Sequence, residues 1–349
     1  QAPELLYAYE DLMASLEAEG LLDRWSERLP SAEEMGERRR AGAGLERPEL
    51  AVLVAYAKRS LTDALLESPL PDEPWIAEPE LRGYFPPAVV ERFAHLLDGH
   101  PLRRELVATL VANDVVNSLG PTFVSQLVAE RTAAPAAVVR AYRIAREATG
   151  AVARWQAVEA LDAALGDRAC YWRLVRGVDA LVGATARWWL AHPVHGDATN
   201  AVREHRDGLE RLEEAMGDLR SQGWCAAAGA EEARLCDAGV PLDVARRHAR
   251  QPALVHAPDL VDVARITGRD VLDVATAAFT LGDALALEWL EREVDELPAQ
   301  TRVQRWAVQA VRDDLLEARR VLTCRALEES PGAPPADAAA AALERRGGT

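Results

Sequence analysis

Apolar residues along most of this chain recur every three or four positions, which is the spacing of one face of an α-helix. The segments with this pattern begin at proline or acidic residues and end at glycine or proline, as helices commonly do. One segment runs from about Glu4 to Glu19 and precedes Gly20, and another begins at Pro48 and continues to about Glu67. The pattern predicts an all-α protein, a multi-helix bundle or array with no significant sheet.

The last long predicted helix extends from about Thr301 to Glu328 and has a narrow apolar stripe. The stripe consists of Val308, Val311, Leu315, Ala318 and Leu322, separated by three, four, three and four residues. Such a stripe suits a helix that lies in a groove between other helices. We expect Leu315 to be buried, either because this helix closes the bundle or because part of the stripe docks on another domain. The charged residues of the helix, Arg319 among them, are expected to populate the remaining surface.

The clearest internal break follows the first half of the chain, at His192-Pro193. It predicts an N-terminal helical part, residues 1–190, and a C-terminal helical part, residues 191–330, packed together as one helical domain. Prolines at 331, 334 and 335 end the last long helix. We expect a flexible tail over residues 331–349 with at most a marginal helical turn or two, because short isolated helices are weak in water.

Composition supports a helical core and excludes some partners. Of the 349 residues, 49% are hydrophobic, and the formal net charge is −16. So acidic a chain is unsuited to nucleic acid or anionic lipid, which require positive surface. The longest clean apolar run, Ala51 to Ala57, is far shorter than a membrane span, and the first residues do not resemble a signal peptide. We expect a cytoplasmic protein with no nucleic-acid or membrane partner.

The residues do not form a recognisable active site. Lys58 is the only lysine, and arginine does not readily lose its proton, so little amine chemistry is available. Gly42-Ala43-Gly44 begins like a dinucleotide-binding loop, but Arg47 stands where the third glycine is needed. His192 and His195 have no nearby cysteine or carboxylate pair to complete a metal site, and none of the four cysteines lies in a CxxC pair. The sequence therefore predicts no catalytic, cofactor or metal site.

The remaining polar candidates lie on the helix expected after Pro101. They are Arg103, Arg104, Asn113 and Asn117. The two asparagines continue a stripe of leucines at helical spacing, and a buried amide needs hydrogen-bond partners. These residues are predicted to form either a polar core or a docking surface.

Several segments carry sequence typical of one family. They are Glu46–Leu53 with Ala55–Lys58, similar to "TRPELAVLLAYAK"; Tyr84-Phe85-Pro86, "YFP"; His100–Thr109, similar to "HRLRREIIAT"; and Asn113 to Phe123, "N-x-x-VN-x-x-G-x-TF". With Arg312–Leu315 near the end, they resemble the C-terminal helical region of the large bacterial NAD-specific glutamate dehydrogenases. Glu46 stands where the family has threonine, so we expect the hydroxyl N-cap and its capping box to be lost. The match is weakest over residues 191–250.

The resemblance implies a non-catalytic C-terminal domain of an enzyme that oxidises L-glutamate to 2-oxoglutarate and ammonia. NAD is then the cofactor of the parent enzyme, and no cofactor is expected in this chain. The implied roles are structural support, interdomain contact or regulation. The implied partners are the catalytic domain of the same polypeptide and further copies in a homo-oligomer. A free-standing helical adaptor that binds another protein is the alternative, and the single lysine makes an independent enzyme the least favoured interpretation.

Overall fold

The computed structural model describes residues 3–162, 165–217, 222–299 and 301–347. Within them the chain forms eighteen α-helices and no β-strand, so the prediction of an all-α fold is confirmed. The helices are α1 (Pro3–Ala18), α2 (Ala32–Arg40), α3 (Arg47–Leu66), α4 (Pro74–Tyr84), α5 (Pro87–Phe93), α6 (Arg103–Leu119), α7 (Phe123–Arg131), α8 (Pro135–Ala148), α9 (Ala151–Glu159), α10 (Arg168–Ala191), α11 (Thr199–Ala215), α12 (Gln222–Asp237), α13 (Leu242–Leu254), α14 (Ala257–Thr267), α15 (Val271–Leu285), α16 (Leu287–Asp295), α17 (Arg302–Glu328) and α18 (Pro335–Gly347). Two 3-10 turns lie at Leu70–Asp72 and Ala94–Leu96.

The start of α3 keeps a capping box, although Glu46 replaces the hydroxyl residue that was expected to be needed there. The carboxylate of Glu49 accepts a hydrogen bond from the backbone N–H of Glu46 at 2.6 Å. Arg38 holds the same carboxylate with two further bonds, at 2.6 and 2.8 Å. The expectation that the capping box is absent is therefore corrected, because the acidic residue three positions after the cap still satisfies a free N–H of the first turn.

The chain divides into two compact units. The first comprises Gln1–Ile144 and Trp189–Thr199. Its interior lies where α3 and α4 pack against α6, and the side chains buried there include Leu53, Leu65, Ile76, Val107 and Val111. Because α6 contributes buried valine and alanine at three consecutive helical turns, it can approach both neighbours closely.

The second unit comprises Ala145–Trp188 and Asn200–Thr349. Its interior is built around α15, which packs against α14, α16, α17 and α18. Val274, Ala275 and Phe279 of α15 are almost entirely buried. The two compact units are defined by contacts between residues. The division into helical parts predicted from the sequence, residues 1–190 and 191–330, stays a prediction.

The end of the chain contains more structure than expected. Residues Pro335–Gly347 form α18, which packs against α15, and Ala338 and Ala339 are fully buried in the core of the second unit. The expectation of a marginal helix that buries nothing is corrected. An alanine-rich helix is weak alone, but its small side chains allow close packing on a neighbouring helix, and tertiary contacts then stabilise it. The mobility of residues 331–349 stays a prediction.

The predicted stripe of α17 lies at the edge of its packing face. The buried residues of this helix are Arg319, Thr323, Ala326 and Leu327. Leu315 is only half-buried, so the expectation that it is buried is wrong. Relative to the predicted stripe, the face that packs inward is rotated about the helix axis toward Arg319 and Thr323. Val311 and Ala318 of the stripe are therefore exposed.

Candidate functional site

The two candidate arginines connect the start of α6 with the end of α3. Arg104 donates to the carbonyl oxygens of Leu66 and Ser68 at 2.8 and 3.0 Å, and it pairs with Asp72. Arg103 donates to the carbonyl of Pro71 at 3.3 Å. Carbonyls at a helix C-terminus lack partners within the helix, and a cation there is favoured by the helix dipole. These arginines therefore serve as structural ties between two helices.

The two candidate asparagines lie outside the core. Asn113 is half-buried and Asn117 is exposed. The stripe that packs inward consists of valines and alanines, such as Val111 and Val115, whereas the leucine stripe leads to the exposed Leu102. Burial of the amide, which the polar-core alternative requires, is therefore not found for Asn117. A docking role for Asn113 and Asn117 stays a prediction.

An apolar segment that the sequence analysis did not single out precedes these asparagines. Neither α5 nor the 3-10 turn after it contains a buried residue. Tyr84, Phe93, Leu96 and Leu102 are between 40% and 56% exposed, and we call these four side chains the apolar hook. Single exposed hydrophobic residues are common, but a group of them commonly marks an interaction site. The exposure of a side chain depends on which other elements pack against its helix. Helix periodicity alone therefore did not predict that these four side chains are exposed.

A cavity of about 750 Å³ in the first unit is lined in part by Glu73 and Arg140, which pair with each other. Arg140 donates from Nε to both oxygens of Glu73, at 3.0 and 3.2 Å, and from its two other nitrogens to the carbonyls of Val194 and Gly196. Its guanidinium carbon lies 5.6 Å from the ring centre of Trp75. The arginine thus joins three wall segments, and we interpret it as a structural clamp.

The second unit contains a buried ionic network. Arg319, only 4% exposed, donates to Nε2 of His256 at 3.2 Å and pairs with Glu288 at 3.0 Å and Glu291 at 3.3 Å. A side chain at Gly282 would place its Cβ 2.6 Å from an oxygen of Glu288, so the network needs glycine on α15. The sequence analysis placed Arg319 on the surface, and that expectation is wrong.

Burial determines the protonation states in this network. It lowers the pKa of His256 well below its usual value, and the adjacent Arg319 lowers it further. Neutral His256 can therefore accept the hydrogen bond from the arginine. Burial raises the pKa of Glu291, while Arg319 opposes that rise. The network fixes α14, α16 and α17 to one another.

Another perturbed carboxyl lies between α9 and α10. Asp179 accepts a hydrogen bond from Nε1 of Trp155 at 2.9 Å. Burial raises the pKa of Asp179 to about 6, and the hydrogen bond only partly opposes this. We interpret this buried carboxyl, held by an indole N–H, as a structural contact between α9 and α10.

Three features of the described part of the chain bear on its chemistry. Among those residues, no three His, Cys, Asp or Glu side chains are grouped as a metal site would require. None of the helices described combines the length and the apolar character needed to cross a membrane. The three described cysteines, Cys170, Cys236 and Cys324, are free. These features define a class of protein, an all-helical module with exposed apolar surface and internal ionic ties.

Comparison with known proteins gives this module its family. The family model described as "Glutamate dehydrogenase, C-terminal" matches residues 42–347. The chain therefore belongs to the glutamate dehydrogenase C-terminal family, and the resemblance stated from the sequence is confirmed.

Curated relatives show how much of a longer protein this region represents. The chain is 33% identical to the NAD-specific glutamate dehydrogenase of Pseudomonas aeruginosa over 333 residues, which are 95% of this chain and 20% of that protein. It is 32% identical to the proteins of the same name from Halomonas elongata and Mycobacterium tuberculosis, over 95% and 92% of this chain and 20% of each relative. The chain thus spans about one fifth of the length of these relatives.

Proposed function

We propose that this chain is the non-catalytic C-terminal helical domain of a large NAD-dependent glutamate dehydrogenase. The parent enzyme would convert L-glutamate to 2-oxoglutarate and ammonia in the cytoplasm. The observation that carries the proposal is the match to relatives of that name across nearly all of this chain but only one fifth of theirs. The single lysine supports a non-catalytic role, because this chemistry would draw on several lysines and Lys58 alone could not supply them.

The role of the domain in the parent enzyme would be support and interdomain contact. Its partner would be the catalytic part of the same polypeptide, within a homo-oligomer. The apolar hook and the exposed Asn117 of α6 supply apolar and amide groups for such contacts, and protein interfaces commonly have both. A free-standing adaptor is not favoured, because the relatives carry this region within one long chain.

The first test compares the isolated chain with the full-length parent enzyme. We expect the isolated chain to bind no NAD in calorimetry and to show no turnover with glutamate, whereas the parent enzyme does both. Micromolar NAD affinity or measurable turnover by the isolated chain would overturn the proposal.

The second test changes the apolar hook. The double variant Phe93→Ser with Leu96→Ser should alter the unfolding free energy of the isolated chain by no more than about 0.5 kcal/mol, because both side chains are exposed. The same pair in the parent enzyme should lower its activity or its resistance to heat. Glu91→Ser, an exposed polar change on α5, is the matched control. Equal effects of the hook variant and the control in the parent enzyme would contradict a contact role.

A further inference from the structure

The first half of α17 is helical without being buried. All buried residues of this 27-residue helix lie from Arg319 onward, and none of the residues from Arg302 to Ala318 is buried. This half nevertheless contains Val303 and Val311, which are 69% and 42% exposed. Most of the stability of a helix within a protein comes from packing of its apolar face on other parts of the structure. The first half of α17 therefore has apolar surface that the rest of the second unit leaves uncovered.

The exposed surface continues along α17 into a groove. A cavity of about 430 Å³ lies between α15, α17 and α18, with Leu285, Leu322 and Leu343 among its lining residues. Leu322 follows Val311 and Leu315 on the same face of α17, at helical spacing. From Val311 to Leu322 the face extends about 16 Å at the rise of an α-helix. We call this continuous surface the α17 groove.

The shape and rim of the α17 groove suit a helix. Apolar residues at alternating spacings of three and four form the seam against which a second helix packs, and an amphipathic helix in an apolar groove is a common form of recognition. Charged residues surround the seam. Arg312 pairs with Asp295 at 2.7 Å on one side, and Glu329 pairs with Arg345 at 2.9 Å near the far end. This arrangement of apolar floor and polar rim is typical of a specific interface.

We propose that the α17 groove is the docking site for an amphipathic helix from the rest of the parent polypeptide. This inference rests on the proposed function. About four fifths of each relative lies outside the region that this chain matches, so the parent polypeptide contains ample sequence to supply the helix. A segment of the same polypeptide also has a high effective concentration at the groove, which favours it over a separate partner.

Site-specific photo-crosslinking in the full-length parent enzyme tests the proposal. A benzophenone amino acid replaces Val311, whose side chain lies on the groove, or Glu317, an exposed residue on the far side of the same helix. We expect the position 311 probe to join a peptide from outside these 349 residues within the same polypeptide, in at least tenfold higher yield than the position 317 probe. Crosslinks only between copies, only within the 349 residues, in equal yield at both positions, or not at all would overturn it.

Hydrogen exchange provides a second measurement. In the parent enzyme, Val311→Asp should accelerate amide exchange over residues 302–318 at least tenfold, because a carboxylate would be desolvated in the docked state. The same substitution in the isolated chain should leave this exchange unchanged, and no acceleration in the parent enzyme would contradict docking. Turnover by the isolated chain tests the proposed function separately. An inactive isolated chain with no position 311 crosslink would remove the docking proposal alone.

Discussion

Substitution of the buried Arg319 should show how much the ionic network of the second unit depends on this one cation. The substitution Arg319→Met keeps an unbranched apolar side chain of similar length and deletes the charge. It leaves Glu288 and Glu291, whose side chains are only 16% and 23% exposed, without their shared cation. His256 also loses the group that donates to its Nε2.

The expected magnitude follows from two opposing contributions. At distances of 3.0 and 3.3 Å and an effective dielectric constant of about 20, each contact between Arg319 and a glutamate contributes about 5 kcal/mol of attraction. Deleting the arginine also removes its desolvation cost, which is several kcal/mol. Breaking a buried pair by removing one partner usually costs about 3–5 kcal/mol. We expect Arg319→Met to lower the free energy of unfolding by that amount at pH 8.

The loss should shrink in acid. Burial already raises the pKa of Glu291, and Arg319 opposes that rise, so the variant should have a higher Glu291 pKa than the parent chain. A carboxyl whose folded pKa is raised favours the folded state when protonated and loses that stability as pH rises through the folded pKa. The pKa of His256 should also rise, because Arg319 no longer lowers it. Both changes stabilise the variant relative to the parent chain between pH 8 and pH 5.

Urea unfolding of the isolated chain at pH 8 and pH 5 measures both effects. Arg319→Met combined with Glu288→Gln and Glu291→Gln is the matched control, since it removes the orphaned negative charges. We expect this triple variant to recover much of the lost stability and to show little extra pH dependence. A loss below about 1 kcal/mol for Arg319→Met at both pH values would refute the argument, because a removed buried partner costs more than this.

Three further changes test other parts of the second unit by urea unfolding. Gly282→Ala should cost about 1–3 kcal/mol, because its Cβ would lie 2.6 Å from a carboxylate oxygen of α16, whereas Gly229→Ala, with open space around it, should be neutral or slightly stabilising; equal results would contradict the packing. Leu327→Ala should lower the free energy of unfolding by about 2–5 kcal/mol and Leu315→Ala clearly less, because Leu327 is buried and Leu315 only half-buried. A larger loss for Leu315→Ala would support the stripe predicted from the sequence as the packing face. Asp179→Asn should stabilise the chain by about 1–3 kcal/mol at pH 8, by about half as much at pH 5 and by little below about pH 4, because the carboxyl has a raised pKa of about 6 in the folded chain but ionises near its usual pKa of about 4 in the unfolded chain; no gain at pH 8 would show that the carboxyl is solvated.

Sequence pattern predicted the helical fold because most boundaries have local causes. The side chain of Thr301 accepts a hydrogen bond from the backbone of Gln304 at 3.2 Å, as its position before a helical pattern indicates. No helix was predicted between Pro71 and Pro86, where α4 lies. Pro74 lies in the first turn, where proline is well tolerated, and α4 continues past Pro79 because Ile76 and Leu81 are fully buried. Tertiary packing there outweighs a local signal.

The sequence did not predict which face of a helix packs inward. On α6 the leucine stripe through Leu106 and Leu110 and the valine stripe through Val107 and Val111 are neighbours, offset by one residue. Both stripes have the spacing of one face of a helix, so periodicity does not show which of them is buried. The choice depends on α3 and α4, which bury the valine stripe. The same limitation explains why a polar core was one of the two alternatives for Asn113.

The buried network gives α17 two halves with different physical properties. A buried ion pair is weak support for stability, since apolar residues of similar volume often do as well. Its hydrogen bonds require particular distances, however, and Arg319 makes them to two helices at once. That geometry fixes the direction of α17 at the point where burial ends. Because the helix continues without a break from Arg319 back to Arg302, the network also determines where the exposed Val311 is presented. An ionic tie at this position therefore orients an apolar surface that the second unit leaves uncovered.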